Sequence, residues 1–262
     1  MCLLIFAHQP GAHLPLVVAA NRDEFHGRPT APSTFWQDRP AVFAGRDLQA
    51  GGTWMGVNRA GRFAAITNFR DPDRTAPAPR SRGELPLEFL CDERPVERFL
   101  DDIAPHAHEY AGFNLLVSAG EEMWYLSNAA QGSAAIALEP GIYGLSNASL
   151  DTPWPKVERG KTVLTKVLQE GSDPSHASLA QAVGERSLVN PQELQALGLA
   201  GEMDELLSAQ FIVTPGYGTR SRTTLWREGS GQMQWREQSY NSEGELTGEQ
   251  RVVIPGAGSS SV

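Results

Sequence analysis

Cys2 is the residue in this chain best placed to do chemistry unaided. A small second residue lets the initiator methionine be removed, which leaves a cysteine carrying its thiol and a free α-amine in one residue. The amine titrates at about 7.7 to 8.0 and a free thiol at about 8.5, so near neutral pH a proton passes from sulfur to nitrogen at little cost. Such a residue is a nucleophile with its own base. Position alone does not establish this role, because thiol reactivity depends on surroundings.

Those surroundings point to Asn21-Arg22-Asp23-Glu24, where the apolar run Leu16 to Ala20 leads into four polar residues with no turn former between them. If that run is a strand beside the first one, its end lies next to Cys2. Alternation puts Asn21 and Asp23 on one face and Arg22 and Glu24 on the other. A carboxylate beside the α-amine would hold it, and an arginine near the thiol would stabilise the thiolate. The ordinary alternative is a solvated strand end with local ion pairs.

Other candidates are weaker. The histidines His8, His13, His26, His106, His108 and His176 are scattered, so no metal site is expected. No Walker loop, G-x-G-x-x-G, G-x-S-x-G, H-E-x-x-H or paired C-x-x-C is present, and the reading calls for no cofactor. Trp36, Trp54 and Trp124 suit the core or a pocket wall. Cys91, flanked by Leu87 and Leu90, is expected to be buried and inert. Asn147-Ala148-Ser149 matches a glycosylation sequon only by coincidence. Asp151 or Thr152 is expected to cap a helix that has Pro153 or Pro155 in its first turn.

The elements that must position these residues can be read from periodicity. Met1 to Ala7 and Leu14 to Ala20 form a hairpin around Pro10-Gly11. Val42 to Ala44, Trp54 to Asn58 and Phe63 to Thr67 follow as strands, with a tight turn at Asn58-Arg59-Ala60-Gly61. Residues 82 to 110 carry apolar positions at helical spacing in two segments, the second opened by Pro95. Strands return at Asn114 to Ser118, Met123 to Leu126, Ala134 to Leu138 and Ile142 to Leu145. A helix over Pro155 to Gln169 follows, then short helices at Ser178 to Val183 and Gln192 to Leu207. The last strands are Phe211 to Val213, Thr223 to Trp226 and Met233 to Gln238. Strands and helices in separate runs predict an α+β fold of stacked antiparallel sheets with helices outside. No repeat is present.

Composition narrows the function. The 262 residues are 40% hydrophobic, enough for one sizeable core, and no long linker divides them. A net charge of -9, from 31 acidic and 22 basic side chains, argues against nucleic acid or an anionic membrane surface as partner. No apolar stretch reaches the roughly 20 residues of an integral membrane segment, and no basic region precedes the first apolar run, so a soluble cytoplasmic protein is expected. Two cysteines make no disulfide framework. Oligomeric state leaves no trace in the sequence.

Several motifs together resemble one family. They are the Met-Cys start, Ala19-Ala20-Asn21-Arg22-Asp23-Glu24-Phe25 with Arg28-Pro29, Gly51-Gly52-Thr53-Trp54-Met55-Gly56, Leu145-Ser146-Asn147 with Asp151-Thr152-Pro153-Trp154-Pro155-Lys156, and Pro215-Gly216-Tyr217-Gly218-Thr219-Arg220. Spread in order over residues 1 to 226, they are similar to the NRDE family, that of transport and Golgi organisation protein 2. The resemblance implies an N-terminal-nucleophile hydrolase-like fold, an αββα four-layer sandwich over residues 1 to 254, with 255 to 262 a flexible tail. The wider superfamily includes cysteine enzymes similar to bile salt hydrolase and penicillin V acylase. By that resemblance Cys2 is the nucleophile, Asp23 holds the α-amine, Asn68 and Asn147 flank the oxyanion, and Arg220 is the distal arginine, with Arg222 as a second candidate. Asn21, Arg22 and Trp54 are the candidate substrate contacts. In those acylases an arginine precedes the aspartate by three residues; here Ala20 holds that position, and strand alternation is expected to turn Arg22 away from Cys2. The implied function is an amidohydrolase or acyltransferase acting on a small acyl-amide or acyl-thioester. The alternative is a non-catalytic carrier of lipid, acyl-CoA or haem on the same fold.

Overall fold

A computed structural model describes residues 2–11, 13–69, 78–129, 134–170, 173–199 and 201–256. The expected tail lies outside them from residue 257 onward. Strands β1 (Cys2–Gly11) and β2 (Leu14–Phe25) form the expected hairpin, and β2 continues without a break through Asn21-Arg22-Asp23-Glu24. Next come β3 (Thr30–Trp36), β4 (Arg39–Asp47), β5 (Met55–Asn58) and β6 (Phe63–Asn68). Helices α1 (Glu84–Cys91) and α2 (Val96–Ile103) follow, with a 3-10 turn at Ala104–Glu109. The chain returns as β7 (Phe113–Ala119), β8 (Glu122–Ser127), β9 (Ile136–Ala137) and β10 (Gly141–Leu145). Helices α3 (Pro155–Gln169), α4 (His176–Ala180), α5 (Pro191–Ala196) and α6 (Glu202–Leu206) lead to β11 (Tyr217–Arg227), β12 (Met233–Tyr240) and β13 (Leu246–Ile254).

These strands make two antiparallel sheets, ordered β10-β1-β2-β11-β12-β13 and β3-β4-β5-β6-β7-β8-β9. Alternation sorts the side chains into three cores. Leu4, Phe6, Val18, Val57, Leu116, Leu225 and Trp235 fill the space between the sheets. Leu3, Ile5, Val17 and Ala19 turn the other way, onto Val157 and Leu164 of α3 and Leu179 of α4. Ala64, Leu115 and Val117 of the second sheet meet Phe89 of α1 and Phe99 of α2. The layers therefore run helices, sheet, sheet, helices: the αββα sandwich.

Several sequence expectations are corrected. β3 and β13 had no counterpart in the periodicity, because both are edge strands: β3 contains Pro32, and the middle of β13 is polar from Glu249 to Arg251, with Glu249 paired to Arg236 on β12 at 2.6 Å. Phe211 to Val213 is no strand, since the Phe211 N–H donates to the Glu185 carbonyl and only Val213 makes a bridge, to Gly218. The strand expected over Ala134 to Leu138 shrinks to Ile136–Ala137. Cys91 is exposed, because it ends α1 on the side away from Phe89 and Leu90. Trp154 stands at the cap of α3, with Pro155 at its first position. Asp151 instead takes a left-handed backbone, φ +57°, and accepts from the Gly144 N–H and the Lys161 ammonium.

Candidate active site

Strand register builds the site. Cys2 pairs with Arg22 on β2, Arg22 with Ser221 on β11, and Ser221 with Ser239 on β12. Cross-strand partners share a face, so this row faces the space between the sheets, one step beyond the apolar rows of the core. Arg22 is therefore beside Cys2, and the expectation that alternation turns it away is overturned. Alternation does set Arg22 and Asp23 on opposite faces, and β1 and β2 pair so that position 22, not 21 or 23, falls opposite position 2.

Arg22 is 6% exposed, and its guanidinium lies over the Trp54 ring at 4.4 Å, with Glu24 at 3.7 Å. Trp54 fits there because Gly45 has no side chain: a Cβ on Gly45 would lie 2.2 Å from the indole. Cys2, Arg22 and Trp54 line a cleft of about 260 Å³ whose rim also carries Arg28, Asn68 and Arg82. Arg28 is paired with Asp47 at 2.7 Å. Arg82 donates to the Gly112 carbonyl and, among the described residues, has no carboxylate partner. Burial lowers its proton affinity, while Cys2 and Glu24 nearby raise it. Nothing in the sequence around Ser81-Arg82-Gly83 marked this residue.

Asp23 and Asn21 occupy the opposite face of β2. Asp23 is 2% exposed and accepts from the Thr219 hydroxyl at 2.7 Å. Burial pushes its carboxyl up, opposed by the positive chain terminus, the Thr219 hydrogen bond and Lys156. Lys156, on α3, is the second residue that sequence reasoning missed as functional, although it ends a quoted motif. Its ammonium is buried and donates to the Leu207 carbonyl at 2.8 Å; burial lowers it to about 8, against the pull of Asp23 and Cys2. The Tyr217 hydroxyl donates to the Asp23 carbonyl at 3.1 Å. Asn21 is structural in its contacts, its amide donating to the Val183 and Gln210 carbonyls at 2.7 Å each, away from the cleft.

The two asparagines meet below the cleft. Asn68, at the end of β6, lines it. Asn147 follows β10 and is 1% exposed; its Nδ2 donates to the Asn68 carbonyl at 2.9 Å. The neighbouring Ser146 hydroxyl donates to the Cys2 carbonyl at 3.0 Å, and the Thr67 hydroxyl to the Ser146 carbonyl at 2.7 Å. These bonds join β1 of one sheet to β6 of the other directly under the thiol.

The two candidates for a distal arginine lie elsewhere. Arg220 is the extra residue of a bulge in β11, between Thr219 opposite Asp23 and Ser221 opposite Arg22, and it donates to the Phe25 and Arg28 carbonyls. Arg222 pairs with Asn21 and so faces the helices, over the rings of Phe211 and Tyr240. The guanidinium groups that line the cleft of Cys2 besides Arg22 belong to Arg28, Arg80 and Arg82. The thiol itself is pushed up by burial and by Asp23, and pulled down by the chain terminus, Arg22 and the Asp23 N–H.

An αββα sandwich with a cysteine at the head of a central strand and a buried aspartate on the neighbouring strand defines the class. The model of the family described as Transport and Golgi organisation 2 matches residues 1–242, and the chain belongs to that family. It is 33% identical over 258 residues to the Transport and Golgi organization protein 2 homolog of Bos taurus, covering 91% of this chain and 93% of that one; the Homo sapiens homolog matches with the same figures. The Drosophila melanogaster protein is 25% identical over 253 residues, covering 87% of this chain and 80% of its own. Among solved structures, the C2A mutant of a conjugated bile acid hydrolase from Clostridium perfringens is similar at a TM-score of 0.48 and 10% identity, covering 97% of this chain and 92% of that one. Penicillin V acylase from Agrobacterium tumefaciens gives 0.42 and 13%, covering 91% and 83%.

Proposed function

We propose that the protein is a cysteine amidohydrolase or acyltransferase, in which removal of Met1 frees the α-amine of Cys2 to act as base for its own thiol. The observation that carries this reading is the division of charge around Cys2. Arg22 and Arg82 lie on the thiol's side, with Glu24 3.7 Å from Arg22, and the buried Asp23, whose residue also borders the cleft, has its side chain on the opposite face of the neighbouring strand, where the terminal amine would extend. Guanidinium groups favour thiolate, while a carboxylate favours ammonium, so the arrangement supports proton transfer from sulfur to nitrogen.

In the proposed reaction the thiol proton moves to the α-amine and sulfur bonds to the substrate carbonyl carbon, whose π electrons move onto oxygen. Asn68, with Asn147 as second donor, is assigned to that oxygen; a neutral amide N–H stabilises developing charge without carrying any. When the intermediate collapses, the carbon–nitrogen or carbon–sulfur bond breaks, the α-ammonium protonates the leaving group and a thioester remains on Cys2. Water or an acceptor amine then releases the acyl group. Arg22 and Trp54 are proposed to contact the substrate at the cleft wall. Asn21 is proposed to act only by holding β2 against the loops that carry Val183 and Gln210.

The charged rim offers a lipid chain or a haem little apolar surface, so the observations favour a small polar acyl compound over a carried lipid. Two unpaired cysteines suit the reducing cytoplasm, where we place the protein. Among the described residues, no helix is long and apolar enough to cross a membrane. The test is trapping: incubation with short acyl thioesters, followed by intact mass and peptide mapping, should show an acyl adduct on Cys2 that is absent in Cys2→Ala. An adduct on Cys91 alone, or none with any acyl donor, would overturn the proposal.

A further inference from the structure

Beyond Arg22 and Trp54, on the side away from Cys2, lies a second cavity of about 240 Å³. Arg22 and Trp54 line both spaces, so their stacked pair is the partition between them. The second cavity is walled by Thr30 and Pro32 of β3, Ser221 of β11, and Glu237 and Ser239 of β12. Nothing in the proposed reaction uses these groups.

Three of the wall residues carry a buried polar atom that has no hydrogen-bond partner among the described residues: Arg22 Nη1, Ser221 Oγ and Glu237 Oε2. All three side chains are more than nine-tenths buried. Buried polar atoms are nearly always satisfied, so three orphans around one hollow point to a polar occupant. Glu237 is the strongest of them. It sits on the inward face of β12, two residues after the core residue Trp235; the Ser33 N–H donates to its Oε1 at 2.8 Å, and its Oε2 is the buried oxygen without a hydrogen-bond partner among the described residues.

The charge of that occupant follows from the walls. Arg22 and Arg220 both line the cavity, and burial together with the like charge of Arg22 lowers the proton affinity of Arg220. Burial pushes the Glu237 carboxyl up, against the Ser33 hydrogen bonds and the Arg22 charge. The walls therefore offer a guanidinium N–H and a hydroxyl and, with Glu237 protonated in slightly acidic buffer, a carboxylic acid O–H, all able to donate to an anion with more than one oxygen. We propose that this cavity is a second binding site, which takes the carboxylate of a small organic acid on Arg22, Ser221 and Glu237.

The site does not depend on Cys2 being a nucleophile, and its test reads binding alone. Malonate, and its neutral analogue malonamide, would be titrated calorimetrically into the full chain at millimolar concentration in slightly acidic buffer. Malonate should bind at one site and malonamide should not. Ser221→Ala should weaken malonate several-fold and Glu237→Ala about tenfold, as expected for lost hydrogen bonds to a charged group, while Cys2→Ala should bind as the parent does. Far-ultraviolet circular dichroism and thermal melts of each variant establish that it is folded. The proposal is overturned if malonate gives no binding, or if malonamide binds equally well. It is also overturned if Ser221→Ala and Glu237→Ala retain full affinity while Asn68→Ala abolishes it, which would place the anion in the cleft of Cys2.

Discussion

Arg22 is the residue on which the proposed chemistry of Cys2 turns. It shares the inter-sheet face with the thiol, and it lies flat on Trp54, which keeps its charge close while the ring shields it from water. Arg22→Met should raise the thiol pKa and slow alkylation of Cys2 at pH 7 by about tenfold, with the rate recovering as pH rises. A pH–rate profile measures this, and an unshifted profile would assign the control of the thiol to Arg82. Lys156 gives a second test at this scale. In the unfolded chain it keeps its proton to about 10.4, whereas in the fold burial lowers it to about 8. Between those values the unfolded state binds more protons, so stability rises with pH; below the folded value the penalty of the buried charge is fully present. Denaturant unfolding of the parent minus that of Lys156→Met should therefore rise from pH 8 to pH 10, and a flat difference would mean that Lys156 keeps its ordinary affinity. Cys2 and Asp23 were legible because a hairpin brings the end of β2 to the start of β1. Arg82, Lys156 and the position of Arg22 were not, because they depend on helix packing and on a one-residue choice of register that no local pattern records.

At the scale of elements, the site depends on close approach between strands. Gly45 of β4 leaves the slot that the Trp54 indole fills. Gly45→Ala should destabilise the protein by about 1–3 kcal/mol through overpacking and, by displacing the ring, should slow alkylation of Cys2 as well. Thermal melts and alkylation rates on the same sample check both, and a loss of stability with an unchanged rate would show that Arg22 needs no stacking partner. The central strands and α3 were readable from period two and period 3.6, because each buries one clear face. The edge strands β3 and β13 were not, because an edge position removes the hydrophobic pattern and tolerates proline and charge. Glu237 was visible in principle as the one acid among the inward positions Met233, Trp235 and Glu237 of β12, a polar residue where alternation calls for an apolar one.

For the whole molecule, a net charge of -9 coexists with a cleft lined by Arg22, Arg28, Arg80 and Arg82 against Asp23, Glu24 and Asp47, a small local excess of positive charge. The global field repels anions and the local one attracts them. At low ionic strength the cleft should win at short range, so the ratio of alkylation rates for iodoacetate over iodoacetamide at Cys2 should fall as salt is added. A ratio that rises with salt would show that the overall negative charge governs entry. The central claim concerns the start of the chain, and intact mass tests it most directly, before and after brief iodoacetamide treatment at neutral pH. Cys91 is exposed, so the measurement belongs in a Cys91→Ser background with Cys2→Ala as control. The expected result is a protein that lacks Met1 and takes up one equivalent of reagent, lost in Cys2→Ala. Retention of Met1, or a Cys2 that stays unalkylated in the folded protein, would contradict the account, since the thiol would then lack the α-amine that is proposed to activate it.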